Sequence, residues 1–321
     1  MEQPPTLETI RQAERRILPY IHRTPVLTCS AINFRVGAQL FFKCENFQKA
    51  GVFKMRGASN AVFSLDPAQA EGGVVTHSSG NHGAALSLAA QNRGISASIV
   101  MPSNSPAVKQ AAVRAYGGKI TFCRPTLEDR EKTAHEIELQ TGATLIHPYN
   151  DFRMIEGHGT ALLELLEEIS DLDMIMVPTG GGGLLSGTLI AAKGLRKDLK
   201  VIGVEPAGAD DAYRSWKAGK LVPLGKANTI ADGLRTSLGN KTFPIIRELV
   251  DAMGLATEKA IIEAMRLVME RMKIVIEPSA AVPLAALLEK QLDVSGRRVG
   301  IILSGGNVDL STLPVWQGPP G

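Results

Sequence analysis

Lys54 stands in the run Gly51-Val52-Phe53-Lys54-Met55-Arg56-Gly57-Ala58, after an aromatic residue and at the predicted opening of a helix. The aligned peptide dipoles make a helix N-terminus a poor place for a cation. An amine so placed, beside Phe53 and Arg56, is expected to have a lowered pKa, which a Schiff-base lysine requires. The competing reading is an ordinary surface lysine at a helix start.

A second constellation is the tetraglycine Gly180–Gly183, preceded by the apolar run Met174-Ile175-Met176-Val177-Pro178 and Thr179, and followed by Leu184-Leu185-Ser186-Gly187. A strand, a glycine turn and then a helix build an anion cradle. No Cβ blocks a phosphate from the amides, and the first N–H groups of the helix have no internal partner. The run lacks the Gly-Lys-Ser/Thr of a P-loop and the third glycine of a dinucleotide fingerprint. It suits one phosphate group, with a simple flexible turn as the alternative.

Two further segments offer donors. Thr76-His77-Ser78-Ser79-Gly80-Asn81-His82-Gly83 reads as strand, polar turn and helix, and would suit a carboxylate, although Ser and Asn are also ordinary caps. Leu303-Ser304-Gly305-Gly306-Asn307 follows the apolar Val299–Leu303 run.

Alternating elements must position these residues. Strands are expected at Leu40–Cys44, Gly73–His77, Ala97–Met101, Lys119–Cys123, Thr144–His147, Met174–Pro178, Lys200–Glu205 and Arg298–Ser304, with helices between them. The alternation predicts an α/β fold of two open parallel-sheet domains, with the active site in the cleft between them. Residues 1–72 and 151–321 are expected to form a large domain and 73–150 a small one. Arg23–Ala38 and Ala207–Asn240 read as loop-rich. The loops Ser78–Gly83, Gly180–Gly183, Pro206–Asp211 and Ser304–Asn307 are expected to converge on the cleft.

The chain has 321 residues, 44% hydrophobic and 21% charged, an ordinary globular balance. A net charge of +3 with no basic block argues against nucleic acid as a partner. The first residues carry no secretory signal, and Met174–Ala192, although uncharged, is a poor spanning helix because of its glycines and Pro178. Cys29, Cys44 and Cys123 have no metal-like spacing and read as reduced thiols of a cytoplasmic protein. The histidines show no zinc pattern.

Together the motifs resemble the fold-type II pyridoxal-phosphate enzymes, in the branch of serine racemases, serine/threonine dehydratases and threo-3-hydroxyaspartate dehydratases. The resemblance runs from His22-Arg23-Thr24-Pro25 to Ser304-Gly305-Gly306-Asn307, through His147-Pro148-Tyr149-Asn150, Glu205-Pro206, Ala209-Asp210-Asp211 and Ile230-Ala231-Asp232-Gly233. It implies the tryptophan synthase β-like architecture and pyridoxal 5'-phosphate as cofactor. Lys54 would carry the cofactor aldehyde, with Phe53 against its ring and Asn81 on its phenolic oxygen. Gly180, Gly181, Gly182 and Gly183 would hold the phosphate, and Ser304 would meet the pyridine nitrogen. A hydroxyl there cannot hold that nitrogen firmly protonated, which favours loss of a β-hydroxyl over a long-lived carbanion. Ser78, Ser79, Gly80, Asn81 and His82 would bind the substrate carboxylate, with Arg130 a looser candidate. Lys54 would take the Cα proton, and Ser79 would deliver one to the opposite face.

Glu205, the Ala209 carbonyl and Asp211 would form an oxygen-only site for magnesium or calcium, with manganese a third option. The alternative is that Asp210 or Asp211 caps a helix beginning near Ala212. Val52 departs from the usual Ser, Thr or Ala, and Ala84 stands where animal serine racemases carry a glutamine linked to nucleotide activation. Tyr149-Asn150-Asp151 resembles plant and microbial members. The expected reaction is dehydration and deamination of serine or threonine to a 2-oxo acid and ammonia, with serine racemase activity. A 3-hydroxyaspartate dehydratase with little serine activity, and a non-catalytic cofactor-binding paralogue, are the alternatives. The expected partners are a small amino-acid substrate and a second copy in a homodimer, with no membrane.

Overall fold

In the computed structural model, residues 3–78 and 80–310 are described. Among these residues ten strands form two sheets. The larger holds β1 (Val26–Leu27), β2 (Gln39–Cys44), β7 (Met174–Pro178), β8 (Lys200–Pro206), β9 (Ala252–Ala256) and β10 (Arg298–Leu303), in the order β1-β2-β10-β7-β8-β9. The smaller holds β3 (Val74–His77), β4 (Ala97–Pro102), β5 (Lys119–Cys123) and β6 (Thr144–Leu145), in the order β5-β4-β3-β6. All pairs are parallel except the edge pair β1–β2. The smaller sheet is therefore wholly parallel, as expected, whereas the larger carries one antiparallel edge. Two-residue β1 needs no crossover, because the short helix Ser30–Val36 turns the chain back into β2.

Two segments expected to be loop-rich hold more structure than their composition suggests. Arg23–Ala38 contains β1 and the helix Ser30–Val36, which ends on Gly37 at φ 76°. Ala207–Asn240 contains the helix Asp211–Ala218 and a 3₁₀ turn at Asp232–Leu234. Strand β9 (Ala-Met-Gly-Leu-Ala) gives no sequence signal, since it has no β-branched residue and a central glycine. It forms because β8 offers it a ladder from Ile202 to Pro206. Strand β6 stops at Leu145, two residues short of the expected end, where the chain turns through His147-Pro148.

Buried residues from β2, β8, β10 and the helices Glu258–Met272 and Pro278–Leu288 form the core on one face of the large sheet. The helices Phe152–Glu168 and Gly183–Leu195 contribute to a second core with β7 and β8. A third lies beneath the small sheet and is continued by Met55, Ala58, Ala61 and Val62 of the helix Lys54–Phe63. The helix that starts at Lys54 is thereby packed into the interior along most of its length. Cys44 is buried and Cys29 and Cys123 are half-buried, all as free thiols. Among the described residues no helix is long and apolar enough to cross a membrane. The uncharged stretch 174–192 is strand β7, the glycine turn and part of the helix Gly183–Leu195.

Candidate active site

Three chain turns leave the carboxyl ends of β3, β7 and β10 and meet around one cavity of about 490 Å³. Phe53, Lys54, Ser78, Asn81, His82, Arg130, Gly180–Gly183 and Ser304 all line it. The Pro206–Asp211 loop does not, contrary to the expected convergence of four loops. It lies behind the glycine turn instead.

Lys54 opens the helix Lys54–Phe63, and its Nζ donates to the Pro148 carbonyl at 2.6 Å, 4.9 Å from the Phe53 ring centroid. Burial lowers its pKa to about 7, against the opposing pull of the Glu277 carboxylate. The lowered value matches the sequence reading, but the cause differs. Arg56 does not act on the amine. Residues two apart on a helix point to opposite sides, and Arg56 turns away into a buried ionic network.

That network is wholly internal. Arg56 donates from Nε to Glu45 Oε2 at 2.7 Å, and from Nη1 and Nη2 to Glu164 at 2.8 and 2.7 Å. Lys43 Nζ donates to Glu164 at 2.6 Å and to the Thr24 carbonyl at 2.7 Å, while Thr24 Oγ1 donates to Glu45 at 2.6 Å. Burial alone would raise the Glu164 carboxyl, yet Arg56 and Lys43 hold it below its ordinary value. The network fixes the helix that presents Lys54 to the cavity.

The glycine turn is pinned residue by residue. A Cβ on Gly181 would lie 2.4 Å from the Tyr149 ring, so that ring and the backbone are in direct contact. Gly182 has φ 86°, a left-handed conformation that only glycine adopts without strain. It is also the N-cap of the helix Gly183–Leu195, and no side chain caps the first amides of that helix. The Gly181 carbonyl accepts from Thr242 Oγ1 at 2.9 Å. A fixed turn with uncapped amides facing a cavity fits a phosphate, and the same cavity holds the Lys54 amine. Together they fit pyridoxal phosphate.

Ser78 Oγ accepts from the Gly80 and Gly83 amides, both at 3.1 Å, and so shapes the turn that opens the helix Asn81–Arg93. Gly80 is its N-cap, with no side-chain cap. A Cβ on Gly80 would meet the Lys109 side chain at 2.2 Å. The His82 ring points at the Ile146 carbonyl, Nε2 at 3.2 Å, so His82 offers the cavity its main-chain N–H. Ser79 lies outside the described residues. Arg130 Nε donates to the Thr126 carbonyl of its own helix at 3.2 Å. The Ser304 carbonyl accepts from Phe53 N at 3.0 Å, and Val52 bridges to Gly305, tying the Lys54 and Ser304 segments together. Fully buried Val52 packs where a smaller residue would leave space.

Glu277 was not singled out from the sequence. It is buried in the cavity wall, and Asn81 Nδ2 donates to its two oxygens at 3.0 and 2.9 Å. Asn81 Oδ1 accepts in turn from Asn307 Nδ2 at 3.1 Å. Burial raises the Glu277 carboxyl to about 7. The available signal was a carboxylate directly before Pro278 in an otherwise apolar run. Lys109 pairs with Asp232 across the cavity, joining a helix of the small sheet to the 3₁₀ turn of the large one.

Glu205 and Asp211 are buried behind the turn. Glu205 accepts from the Ala212 and Tyr213 amides at 3.1 and 2.7 Å, and is thus the residue that caps the helix Asp211–Ala218. Neither Asp210 nor Asp211 does so. Asp211 Oδ2 accepts from Leu238 N at 3.0 Å, and its Oδ1 is buried without a partner. Burial raises both carboxyls, Asp211 to about 6, and each is raised further by a neighbouring acid. Ala209 is buried beside them. An orphaned buried oxygen next to a second carboxylate fits a hard cation.

Among the described residues, His77, Glu131 and His147 have ligand atoms within 4.8 Å of one another. His147 Nδ1, however, accepts from the Tyr149 and Asn150 amides at 3.3 and 3.0 Å. That places its proton on Nε2, and a ring so fixed donates where a metal would need a lone pair.

A half-buried amine of lowered pKa, a pinned phosphate turn and the cleft between two α/β sheets define a pyridoxal-phosphate enzyme. The chain belongs to the pyridoxal-phosphate dependent enzyme family, whose profile matches residues 17–305. It is 50% identical over 316 residues to a serine racemase of Oryza sativa subsp. japonica, covering 97% of this chain and 93% of the relative. It is 48% identical over 313 residues to a beta-hydroxyaspartate dehydratase of Paracoccus denitrificans, covering 98% and 99%. Among solved structures, maize serine racemase superposes with a TM-score of 0.95 at 49% identity, covering 97% of this chain and 96% of that one.

Proposed function

We propose that this enzyme dehydrates and deaminates small β-hydroxy-amino acids such as serine or threonine to 2-oxo acids and ammonia, and racemises serine in the same site. The observation that carries the reading is the shared cavity of Lys54, the uncapped amides at Gly183 and the first turn of the helix that opens at Asn81. The bound cofactor supplies the electron sink that makes the substrate Cα proton acidic. The chain supplies the rest. Lys54 Nζ, about half neutral near pH 7, accepts that proton. Main-chain N–H groups at Asn81 and His82, with the helix dipole behind them, hold the carboxylate, while the Gly80 amide is taken by Ser78 Oγ. Glu277 keeps Asn81 in place. Ser79 serves as the opposite-face proton donor that racemisation needs.

A second reading, dehydration of 3-hydroxyaspartate with little action on serine, is favoured by Arg130, a cation in the cavity wall able to meet a second carboxylate. Steady-state rates on serine, threonine and both 3-hydroxyaspartate diastereomers, with chiral analysis of unreacted serine, separate the two. Serine turnover with loss of enantiomeric purity is expected, and Ser79→Ala should slow racemisation more than elimination. Turnover confined to 3-hydroxyaspartate would establish the second reading, and no turnover at all would overturn both.

Glu205, Ala209 and Asp211 would hold magnesium, calcium or manganese as part of the same proposal. Asp211 bonds to Leu238, which packs on Gly182, so the ion would brace the glycine turn from behind. Removing divalent ions with a chelator is expected to lower the melting temperature and kcat, and added magnesium or calcium to restore both. A ligand at a hundredfold excess over its Kd stabilises by about 2.7 kcal/mol. Asp211→Asn should abolish this response. A homodimer and the domain division into 1–72 with 151–321, and 73–150, complete the proposal.

A further inference from the structure

His158 sits behind the lysine-bearing helix and is used by none of the chemistry above. It lies on the helix Phe152–Glu168 and is fully buried. Its ring meets the Phe53 ring edge-on, with centroids 4.7 Å apart and planes at 61°. It fills the space beside Gly57, where a Cβ would stand 2.6 Å from Nε2. The ring also lies by the Gly183 main chain, at the start of the helix that follows the glycine turn. His158 therefore touches both halves of the cofactor site, the lysine helix and the phosphate turn.

Both ring nitrogens are shielded from solvent and neither makes a hydrogen bond of good geometry; the ring approaches the Gly183 main chain without a well-formed bond. Buried polar atoms are almost always paired, and a phenylalanine would satisfy the packing here without this penalty. The groups facing the ring are Lys54, His82 and Arg56. Burial first, and the nearby Lys54 and Arg56 second, keep the ring neutral, with one nitrogen a donor and the other an acceptor. A neutral imidazole beside a backbone turn can bond to it once the turn settles.

We infer that His158 is a positioning residue for the cofactor phosphate: when an anion occupies Gly180–Gly183, the imidazole engages the main chain at Gly183 and holds the amides of the turn toward the cavity. The inference rests on the cofactor that the family uses. Glycine-rich turns lose much conformational freedom on ordering, and a bond from a fixed ring limits that loss at the moment of binding.

The test uses the full-length apoenzyme titrated with pyridoxal phosphate and, separately, with pyridoxal, which lacks the phosphate. Binding is read from cofactor absorbance and intrinsic fluorescence, with thermal melts of each apo form. His158→Phe keeps the ring shape and removes both nitrogens. It is expected to weaken pyridoxal phosphate roughly tenfold, the worth of about one hydrogen bond, while leaving pyridoxal unchanged. His158→Gln, which restores a donor and an acceptor in a smaller side chain, should recover most of the difference and guards against a misfolded first variant. Equal weakening of both ligands would make His158 a packing residue and overturn the inference, as would no weakening of either. A parent protein that captured no pyridoxal phosphate would instead sink the cofactor reading itself.

Discussion

Lys54→Ala is expected to abolish covalent capture of pyridoxal phosphate and to reduce turnover by roughly 10³- to 10⁴-fold or more, while leaving the apo protein folded. Loss of a positioned proton acceptor alone removes much of this rate, and loss of the amine removes the covalent link. The fold should survive because Lys54 is a half-buried amine with a single hydrogen bond, to Pro148, and withdrawing such a group from water opposes folding. Absorbance of the bound cofactor, product assay and circular dichroism check the three parts. Retention of both absorbance and turnover would defeat the assignment of Lys54. A pH series on the parent adds a sharper constraint. Only the neutral amine attacks a carbonyl, and burial sets the amine near 7, so the rate of cofactor capture should level off above pH 7 and fall about tenfold per unit below it.

The largest stability effect is expected at Arg56. Arg56→Met should destabilise the protein by about 3–5 kcal/mol, the usual result of leaving buried charges without their partner. Glu45 and Glu164 would then share only Lys43 and Thr24. The sign of the pH dependence follows. In the parent, Glu164 is held below its ordinary value, so its contribution is full above that ordinary value and is lost as pH falls through the depressed one. In the variant Glu164 keeps only Lys43, loses much of that depression and gains more readily by protonation. The gap between parent and variant should therefore narrow as pH drops below about 5. Denaturant melts at several pH values measure it; a variant as stable as the parent at neutral pH would show that the network does not hold the helix.

The network also explains what the sequence made legible. Residue types that chemistry demands stood out: a lysine after an aromatic at a helix start, four glycines between a strand and a helix, and a hydroxyl after an apolar run. Each signal is local, and each residue lines the cavity. Arg56 was misread because its neighbours in space, Glu45 and Glu164, come from distant parts of the chain. Adjacency to Lys54 in sequence suggested contact, and helical geometry turned the two apart. Glu277 and His158 were missed for the same reason. Only tertiary packing makes one a carboxyl raised by burial and the other a ring with orphaned nitrogens. Strand β9 was invisible because its residues have no strand preference of their own and depend on β8 for pairing. The Pro206–Asp211 loop was recognised as polar and glycine-bearing, yet spacing alone could not say which side of the glycine turn it would occupy.

The position of β10 sets a schedule for synthesis. That strand, Arg298–Leu303, lies between β2 and β7 in the middle of the large sheet. A ribosome releases it long after both neighbours, so the nascent chain carries two half-sheets with unpaired edges until residue 303 emerges. The smaller sheet needs nothing beyond Leu145 and is free to form early. The clasp from Val52 to Gly305 likewise needs a residue beyond β10. The wall of the cavity that Ser304 contributes is therefore assembled only after translation has passed that residue.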